Sequence, residues 1–294
     1  MGRRELTVAE VENPPVRRRE LGALLRALRI DAGMTVEEVA EQLLCSSTKI
    51  SRMETGQRSA SQRDVRDLCR IYGVTDQVHY DHLMSLARQG RGQAWWQPYN
   101  LPYATYVGLE AEAATIRDYE SGVFPGLFQV PDYVRAVHEG AVHPLSSQVI
   151  DQRIEERIER QKILTSASPP SVHAILDEAV LHRQIGGPAV MARQLDRTIE
   201  LAAKLPNVTV QVLPFRLGAH PGLDSTFIVL GMVPPVPSVV YVEGLVGSIY
   251  LERDQDVSRY QQIFERLSDI SLDQDASIDL LGKTRAQFQA EAGG

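Results

Sequence analysis

The sequence predicts an all-α N-terminal bundle followed by a larger α+β C-terminal domain with an antiparallel sheet. Within residues 17–89, short stretches carry apolar residues at helical spacing and are separated by Gly, Ser or Asp. After Pro169-Pro170 the pattern changes to short alternating runs, which are typical of strands. At 294 residues, with 43% hydrophobic and 23% charged residues, the chain is long enough for two soluble domains.

The centre of the first domain is the stretch TVEEVAEQLLCSSTKISRMETG, residues 35–56. Its first half has one apolar helical face, and Thr35 with Glu38 matches a capping box. Ser46 supplies an N-cap for a second short helix, whose inner face includes Ile50. Two short helices separated by a tight turn predict a helix-turn-helix.

The second of these helices turns short polar and basic side chains outward, which suit a base edge and its flanking phosphates. The run ISRMETGQRSAS, residues 50–61, resembles the end of the recognition helix and the following loop in the lambda repressor/Cro (xenobiotic-response-element, XRE) family. The resemblance implies double-stranded DNA as a partner. It also implies base contacts from Ser47, Thr48 and Lys49 and phosphate contacts from Arg52 and Arg58. With the N-cap Ser46, these residues make up the predicted DNA-binding set.

Two positions depart from the family's pattern. The scanning helix often begins with Gln, whereas this chain has Val36, which predicts the loss of one polar DNA contact. The turn often carries Gly before the recognition helix, and Leu44 here predicts backbone strain. The alternative interpretation of this stretch is a helical hairpin within some other all-α domain.

The net charge of −7 is distributed unevenly. Residues 1–90 hold 14 Lys and Arg against 13 Asp and Glu, whereas residues 91–294 hold 17 against 25. The segment 46–58 carries three basic residues and only Glu54 as an acid. Because the local field decides phosphate attraction, the acidic total does not argue against DNA binding.

The composition also bears on location and cofactors. No apolar run approaches the roughly 20 residues of a membrane span, and the N-terminal segment lacks the apolar region of a secretion signal. A cytoplasmic protein without membrane association is expected. Cys45 and Cys69 occupy apolar helical positions, which favours core thiols over a zinc site. No metal, cofactor or catalytic residue is predicted.

Four segments are predicted in order. Residues 1–16 are polar and form a flexible arm, and residues 17–90 form the helix-turn-helix domain. Residues 91–104 are a linker, whose two tryptophans are too apolar to remain in water and dock onto the second domain. Residues 105–294 form the α+β domain.

Within the second domain, residues 105–120 are predicted as a helix, and residues 147–165 as a charged helix with an isoleucine seam. Residues 171–177 and 208–214 are predicted as strands. Three further strands at TFIVLG, VVYVE and SIYLE lie close together, which favours an antiparallel meander. Two helices follow them.

The second domain carries a further resemblance. It rests on five segments in order: EAxxIRDYE (112–120), FPGLFQ (124–129), RxxRQ (157–161), ILDEAVLHR (175–183) and NVTVQVLP (207–214). These are similar to the actinobacterial helix-turn-helix regulators that have a large C-terminal domain of unknown function, the WhiJ-like, antitoxin-like group. The resemblance implies transcriptional control and a small partner protein.

Three hypotheses follow from the sequence. The first is a DNA-binding regulator whose second domain binds a protein, acting as a homodimer on a pseudo-palindromic operator. The second is the same regulator with a small-molecule site in the second domain. The third is an enzyme with a DNA-targeting module, suggested only by the pair Glu178 and His182 and by the loop at His220.

Overall fold

The computed structural model describes residues 13–143, 145–245 and 247–293. Contacts divide the chain into two compact units: Met1–Glu112 with Val233–Pro237, and Ala113–Met232 with Ser238–Gly294.

Of the predicted arm, residues 1–12 lie outside the described residues. Its last three residues do not belong to an arm, because the first helix begins at Pro14 and buries all three of them. Proline is favoured there because the first helical N–H needs no partner.

The first unit is helical, as predicted. Its described helices are α1 (Pro14–Asp31), α2 (Val36–Gln42), α3 (Ser47–Glu54), α4 (Gln62–Ile71), α5 (Gln77–Gln89) and α6 (Ala104–Glu112). One hydrophobic cluster joins α1, α3, α4 and α5 through buried side chains that include Leu25, Ile50, Leu68 and Leu83. The α2 residues Val39 and Ala40 belong to the same cluster, so the predicted all-α bundle is confirmed, and the first unit also includes α6.

The predicted linker packs into this first unit. Trp96 is 3% exposed and lies in a cluster with Leu101 and Val107, so the segment docks on α6, which the prediction had placed in the second domain. However, α6 belongs to the first unit, where Gly108 O accepts a hydrogen bond of 2.6 Å from the Asn13 side chain at the start of α1. The first unit therefore extends to Glu112.

The second unit is α+β, as predicted. Its strands are β1 (Thr115–Glu120), β2 (Ser171–Asp177), β3 (Val208–Leu213), β4 (Phe227–Gly231), β5 (Val239–Gly244) and β6 (Gly247–Leu251). Its helices are α7 (Pro131–Glu139), α8 (Ser147–Gln161), α9 (Glu178–His182), α10 (Pro188–Lys204), α11 (Asp254–Ile270) and α12 (Gln274–Gly293). Helix α11 covers one face of the sheet, where Val257, Phe264 and Leu267 pack against strand residues that include Tyr119 and Phe227.

The sheet is mixed, with the order β3-β2-β1-β4-β5-β6. The predicted antiparallel arrangement is correct for β4, β5 and β6, and β1 also pairs antiparallel with β4. Strands β1, β2 and β3 are parallel to one another. Parallel neighbours need a long crossover, and helices α7 to α10 supply the two crossovers.

The helix predicted over 105–120 is wrong in its second half. Helix α6 ends at Glu112, and Thr115–Glu120 form the central strand β1. Ile116 pairs with Val172 of β2 on one side and with Leu230 of β4 on the other. The apolar spacing of this segment suits a helix, but pairing with two neighbouring strands overrides it.

The predicted helix 147–165 ends earlier, at Gln161, and continues as a 3-10 turn at Lys162–Thr165. Of its isoleucine seam, Ile150 is 2% exposed but Ile158 is 46% exposed, so the seam is only partly buried. No helix among the described residues is long and apolar enough to cross a membrane.

Candidate nucleic-acid interface

Helix α2 begins with the predicted capping box. The Glu38 N–H donates to Thr35 Oγ1 at 3.2 Å, and the Thr35 N–H donates to Glu38 Oε2 at 2.7 Å. The hydrogen bonds that the Thr35 N–H and the Thr35 hydroxyl donate to the Glu38 carboxylate lower its pKa below the ordinary value. Val36, at the position where the lambda repressor/Cro pattern often has Gln, is half-buried and packs against the helical core.

The turn between α2 and α3 contains a strained residue. Leu44 has a φ of 51°, in the left-handed region, and its side chain is 92% exposed. A β-carbon is disfavoured at this φ because it crowds the following carbonyl oxygen. The strain predicted from the missing glycine is therefore present, and no burial of the leucine side chain offsets it.

Replacement of Leu44 by glycine is expected to raise the free energy of unfolding of the first unit by about 1 kcal/mol. The matched control is Gly33→Ala, because Gly33 has a φ of +68° and open space around its Cβ position. That change should lower stability by a similar amount. Urea unfolding measures both, and a loss of stability in Leu44→Gly would contradict the strain.

Close contacts between backbones hold α3 on α1. A Cβ added at Gly22 of α1 would lie 2.5 Å from the carbonyl oxygens of both Met53 and Glu54. Gly56, just after α3, has a φ of +69° and a Cβ position 2.8 Å from the Arg19 backbone. Glycine at these two positions allows α1 to lie directly against the C-terminal end of α3.

A buried ion pair joins the same two helices. Arg29 Nε and Nη2 donate to the two carboxylate oxygens of Glu54 at 2.7 and 3.0 Å, and Arg29 Nη1 donates to Met34 O at 2.8 Å. The side chains are 12% and 7% exposed. The hydrogen bonds to Glu54 raise the pKa of Arg29, so the guanidinium is always charged.

Helix α3 exposes a polar stripe on the side opposite its anchors. Ile50 and Met53 are buried, whereas residues at spacings of three and four are exposed, namely Thr48, Ser51, Arg52 and Thr55. Thr48 and Arg52 were predicted as DNA contacts, and the structure places them on one face. Ser51 is not in the predicted set, but its place three residues after Thr48 puts it on the same face.

Lys49 is engaged with another part of the first unit. Its Nζ lies 2.6 Å from Asp64 Oδ1, and Asp64 also caps α4 by accepting the Ser61 N–H at 3.0 Å. Burial raises the pKa of Asp64, but the hydrogen bonds from Lys49 and Ser61 more than offset this and lower it. A base contact by Lys49 therefore requires that this pair open.

The remaining predicted residues are placed around α3. Ser46 is the N-cap, and its hydroxyl accepts the Lys49 N–H at 3.2 Å. Ser47 is half-buried in the first turn of α3. Arg58 is exposed beyond the helix, and its N–H donates to Arg52 O at 2.9 Å. The structure thus places Thr48 and Arg52 on one face of α3 and Arg58 next to Arg52.

The histidines that suggested an enzyme each lie near a carboxylate of the second unit. His182 Nε2 lies 3.4 Å from Glu178 Oε1, and the other carboxylate oxygen of Glu178 accepts the Phe215 N–H at 2.7 Å. His220 Nε2 lies 3.5 Å from Asp177 Oδ2. Cys69 is buried and Cys45 is half-buried, and both are free thiols. No group of three or more His, Cys, Asp or Glu side chains in the described part of the chain is arranged to hold a metal ion.

Comparison with known families finds two matches, and the second begins at residue 103, before α6, and not at the boundary that contacts place after Glu112. Residues 20–83 match the family model of a helix-turn-helix domain, which spans α1 to α5. The protein is therefore of the class that joins a helix-turn-helix domain to a further, larger domain.

Residues 103–283 match a domain of unknown function, DUF5753, and the chain belongs to this family. No curated protein matches the chain, and no solved structure matches it.

Proposed function

We propose that this protein is a transcriptional regulator of the lambda repressor/Cro (XRE) type, in the WhiJ-like, antitoxin-like group, which acts on DNA in the cytoplasm. The observation that carries the proposal is the way in which α3 packs against α1. Its apolar face is anchored on α1, and its exposed face presents hydroxyl and guanidinium groups that suit base edges and phosphates. The proposal includes no catalytic step and no cofactor.

Arg52 is the most suitable residue for testing this interface by substitution. It is exposed, and its replacement leaves the Lys49–Asp64 ion pair in place. Arg52→Ala is expected to weaken binding, and the loss of a base-edge contact would amount to about 1–3 kcal/mol. If Arg52 contacts phosphate, the loss should be uniform across DNA sequences, and the salt slope should fall by about 1. Fluorescence anisotropy at several salt concentrations, on an operator mapped across the genome, measures both effects.

The matched control is Arg259→Ala, which removes the same charge from an exposed position on α11 in the second unit. It should leave DNA affinity within experimental error. Equal losses in the two variants would mean that net charge, and not α3, sets the affinity. Failure of the unsubstituted chain to select any duplex from a random pool at low salt would reject the DNA-binding proposal itself.

The active species is proposed to be a homodimer on a pseudo-palindromic operator. A single short recognition helix reads only a few base pairs, and dimers of this class place two half-sites about one DNA turn apart. The operator found by genome mapping should therefore contain two inverted half-sites with roughly 10 base pairs between their centres. A single unrepeated site would argue for a monomer.

The second domain is proposed to bind a small protein and so to change the occupancy of the operator. The acidic excess of residues 91–294 disfavours phosphate and favours a basic partner. If binding of the partner and binding of DNA are coupled, each ligand must change the protein's affinity for the other by the same factor. Purification of the tagged full chain from its own cells, followed by titration of any stoichiometric protein with and without operator, tests this coupling.

One observation favours a second candidate function, the sensing of a small molecule. A cavity of about 280 Å³ lies between α8 and α10, with Leu164 and Leu201 among its apolar lining and Arg197, Glu200 and Lys204 among its polar lining. Its size is close to the lower end of ligand sites. A metabolite that co-purifies at stoichiometric level, without a protein, would favour this function over the partner protein.

A further inference from the structure

The two edges of the sheet in the second unit differ. At the β3 edge, the Leu272 N–H donates to Val212 O and the Val212 N–H donates to Ser277 Oγ, both at 2.9 Å. The Gln211 side chain adds a hydrogen bond of 2.9 Å to Leu272 O. The segment before α12 and the start of α12 therefore cover this edge and occupy its backbone groups.

The other edge is β6, which has a strand neighbour on one side only among the described residues. Its sequence, GSIYL, contains no charged residue and no proline, which are the devices that usually keep an edge strand from pairing. Ile249, at its centre, pairs with Val242 of β5 and is 57% exposed. An apolar, uncharged edge strand is a template for a further strand.

We propose that β6 pairs with β6 of a second copy of this chain, antiparallel and with the twofold axis at Ile249. The proposal rests on the proposed function, since a pseudo-palindromic operator calls for a twofold dimer. The strand is self-complementary about Ile249: Gly247 lies opposite Leu251 of the second copy, so the smallest side chain faces a large one.

The charge distribution agrees with a second copy as the occupant. The second domain is acidic as a whole, so contact between two copies through a charged surface would bring like charges together. Pairing through residues 247–251 places no charge opposite another. The two Ile249 side chains meet across the axis and remove exposed apolar surface from water.

Disulfide trapping tests this register without DNA. Gly244 and Gly247 are the closing pair of a hairpin with two residues between them, and such a pair is hydrogen-bonded, so by alternation Val242 and Ile249 form a hydrogen-bonded pair too. In the dimer, Ile249 would therefore face its own copy as a non-hydrogen-bonded pair, with Cα atoms about 4.5 Å apart. That distance lies within the range of a disulfide. The full-length Ile249→Cys variant should therefore form a covalent dimer under mild oxidation, seen on a non-reducing gel.

The matched control is Leu223→Cys, because Leu223 is also an exposed aliphatic residue of this unit, at 64%. It and the unsubstituted chain, with Cys45 and Cys69, should remain unlinked. Ile249→Lys should shift the chain from dimer to monomer in sedimentation velocity, with an unchanged circular dichroism spectrum. On DNA, its affinity for the full operator should fall toward that for one half-site.

The outcomes separate this inference from the proposed function. If Ile249→Cys links no faster than Leu223→Cys, or Ile249→Lys remains dimeric, pairing through β6 is wrong, while DNA binding through α3 is untouched. If Ile249→Cys links and Ile249→Lys is monomeric but the chain selects no duplex, β6 pairing stands and the DNA-binding proposal fails.

Discussion

Replacement of Arg29 by methionine is expected to lower the free energy of unfolding of the first unit by about 3–5 kcal/mol. The guanidinium contacts both oxygens of Glu54 and also donates to Met34 O. Glu54 is only 7% exposed, so the substitution leaves a buried carboxylate without its cation. Methionine retains much of the aliphatic length, and therefore the loss reports the ion pair more than the packing.

Both tryptophans of the chain, Trp95 and Trp96, lie in the first unit, so their fluorescence during urea unfolding follows this unit alone. The control is Arg66→Met, because Arg66 pairs with Asp67 at 3.0 Å but is 59% exposed. A surface pair of this kind contributes about 0–1 kcal/mol. The double variant Arg29→Met/Glu54→Gln should recover part of the loss, since it removes the unpaired charge. Equal losses at Arg29 and Arg66 would show that the buried pair has no special role.

Gly22→Ala is expected to destabilise the first unit by about 2–3 kcal/mol. The added methyl group would lie 2.5 Å from two backbone oxygens at the end of α3, and backbone atoms cannot move aside as a flexible side chain does. Either α3 shifts away from α1 or the strain remains. In both cases the position of the exposed face of α3 is no longer supported, so DNA affinity should fall as well.

The control for Gly22→Ala is Gly282→Ala. Gly282 is also within a helix, α12, but its Cβ position has open space within 4 Å. Alanine should there raise helix stability by about 0.5–1 kcal/mol, because it restricts the unfolded chain and favours the helix. Urea unfolding monitored by circular dichroism follows both variants. A stabilising effect at Gly22 would mean that α1 and α3 separate without cost.

Several features of the first unit were predictable because their causes are local. The caps at Thr35 and Ser46 each depend on residues within three positions, and both form as the sequence indicates. The left-handed turn at Leu44 also follows from a local comparison with glycine. The exposed face of α3 follows from helical periodicity once its buried residues are known.

The ion pair of Lys49 with Asp64 was not predictable in the same way. Its partner, Asp64, is 15 residues away, on the next helix. The sequence places a basic residue on the recognition helix, but only the packing of α4 beside α3 decides where its ammonium group lies. The same holds for Gly22, whose importance depends on the distance between two helix backbones.

In the second unit, the sequence by itself determined the α+β class and most of the strands, because alternating apolar residues and flanking Pro and Gly are properties of short segments. Only the tertiary structure decided that residues 115–120 form the central strand and that half of the sheet is parallel. Strand pairing joins residues that are tens of positions apart, and its free energy depends on neighbours that no local pattern contains. It also decided that residues 272–277 cover the β3 edge, whereas β6 has a strand on one side only within the described part of the chain, because the fold returns the described chain to one edge and not to the other.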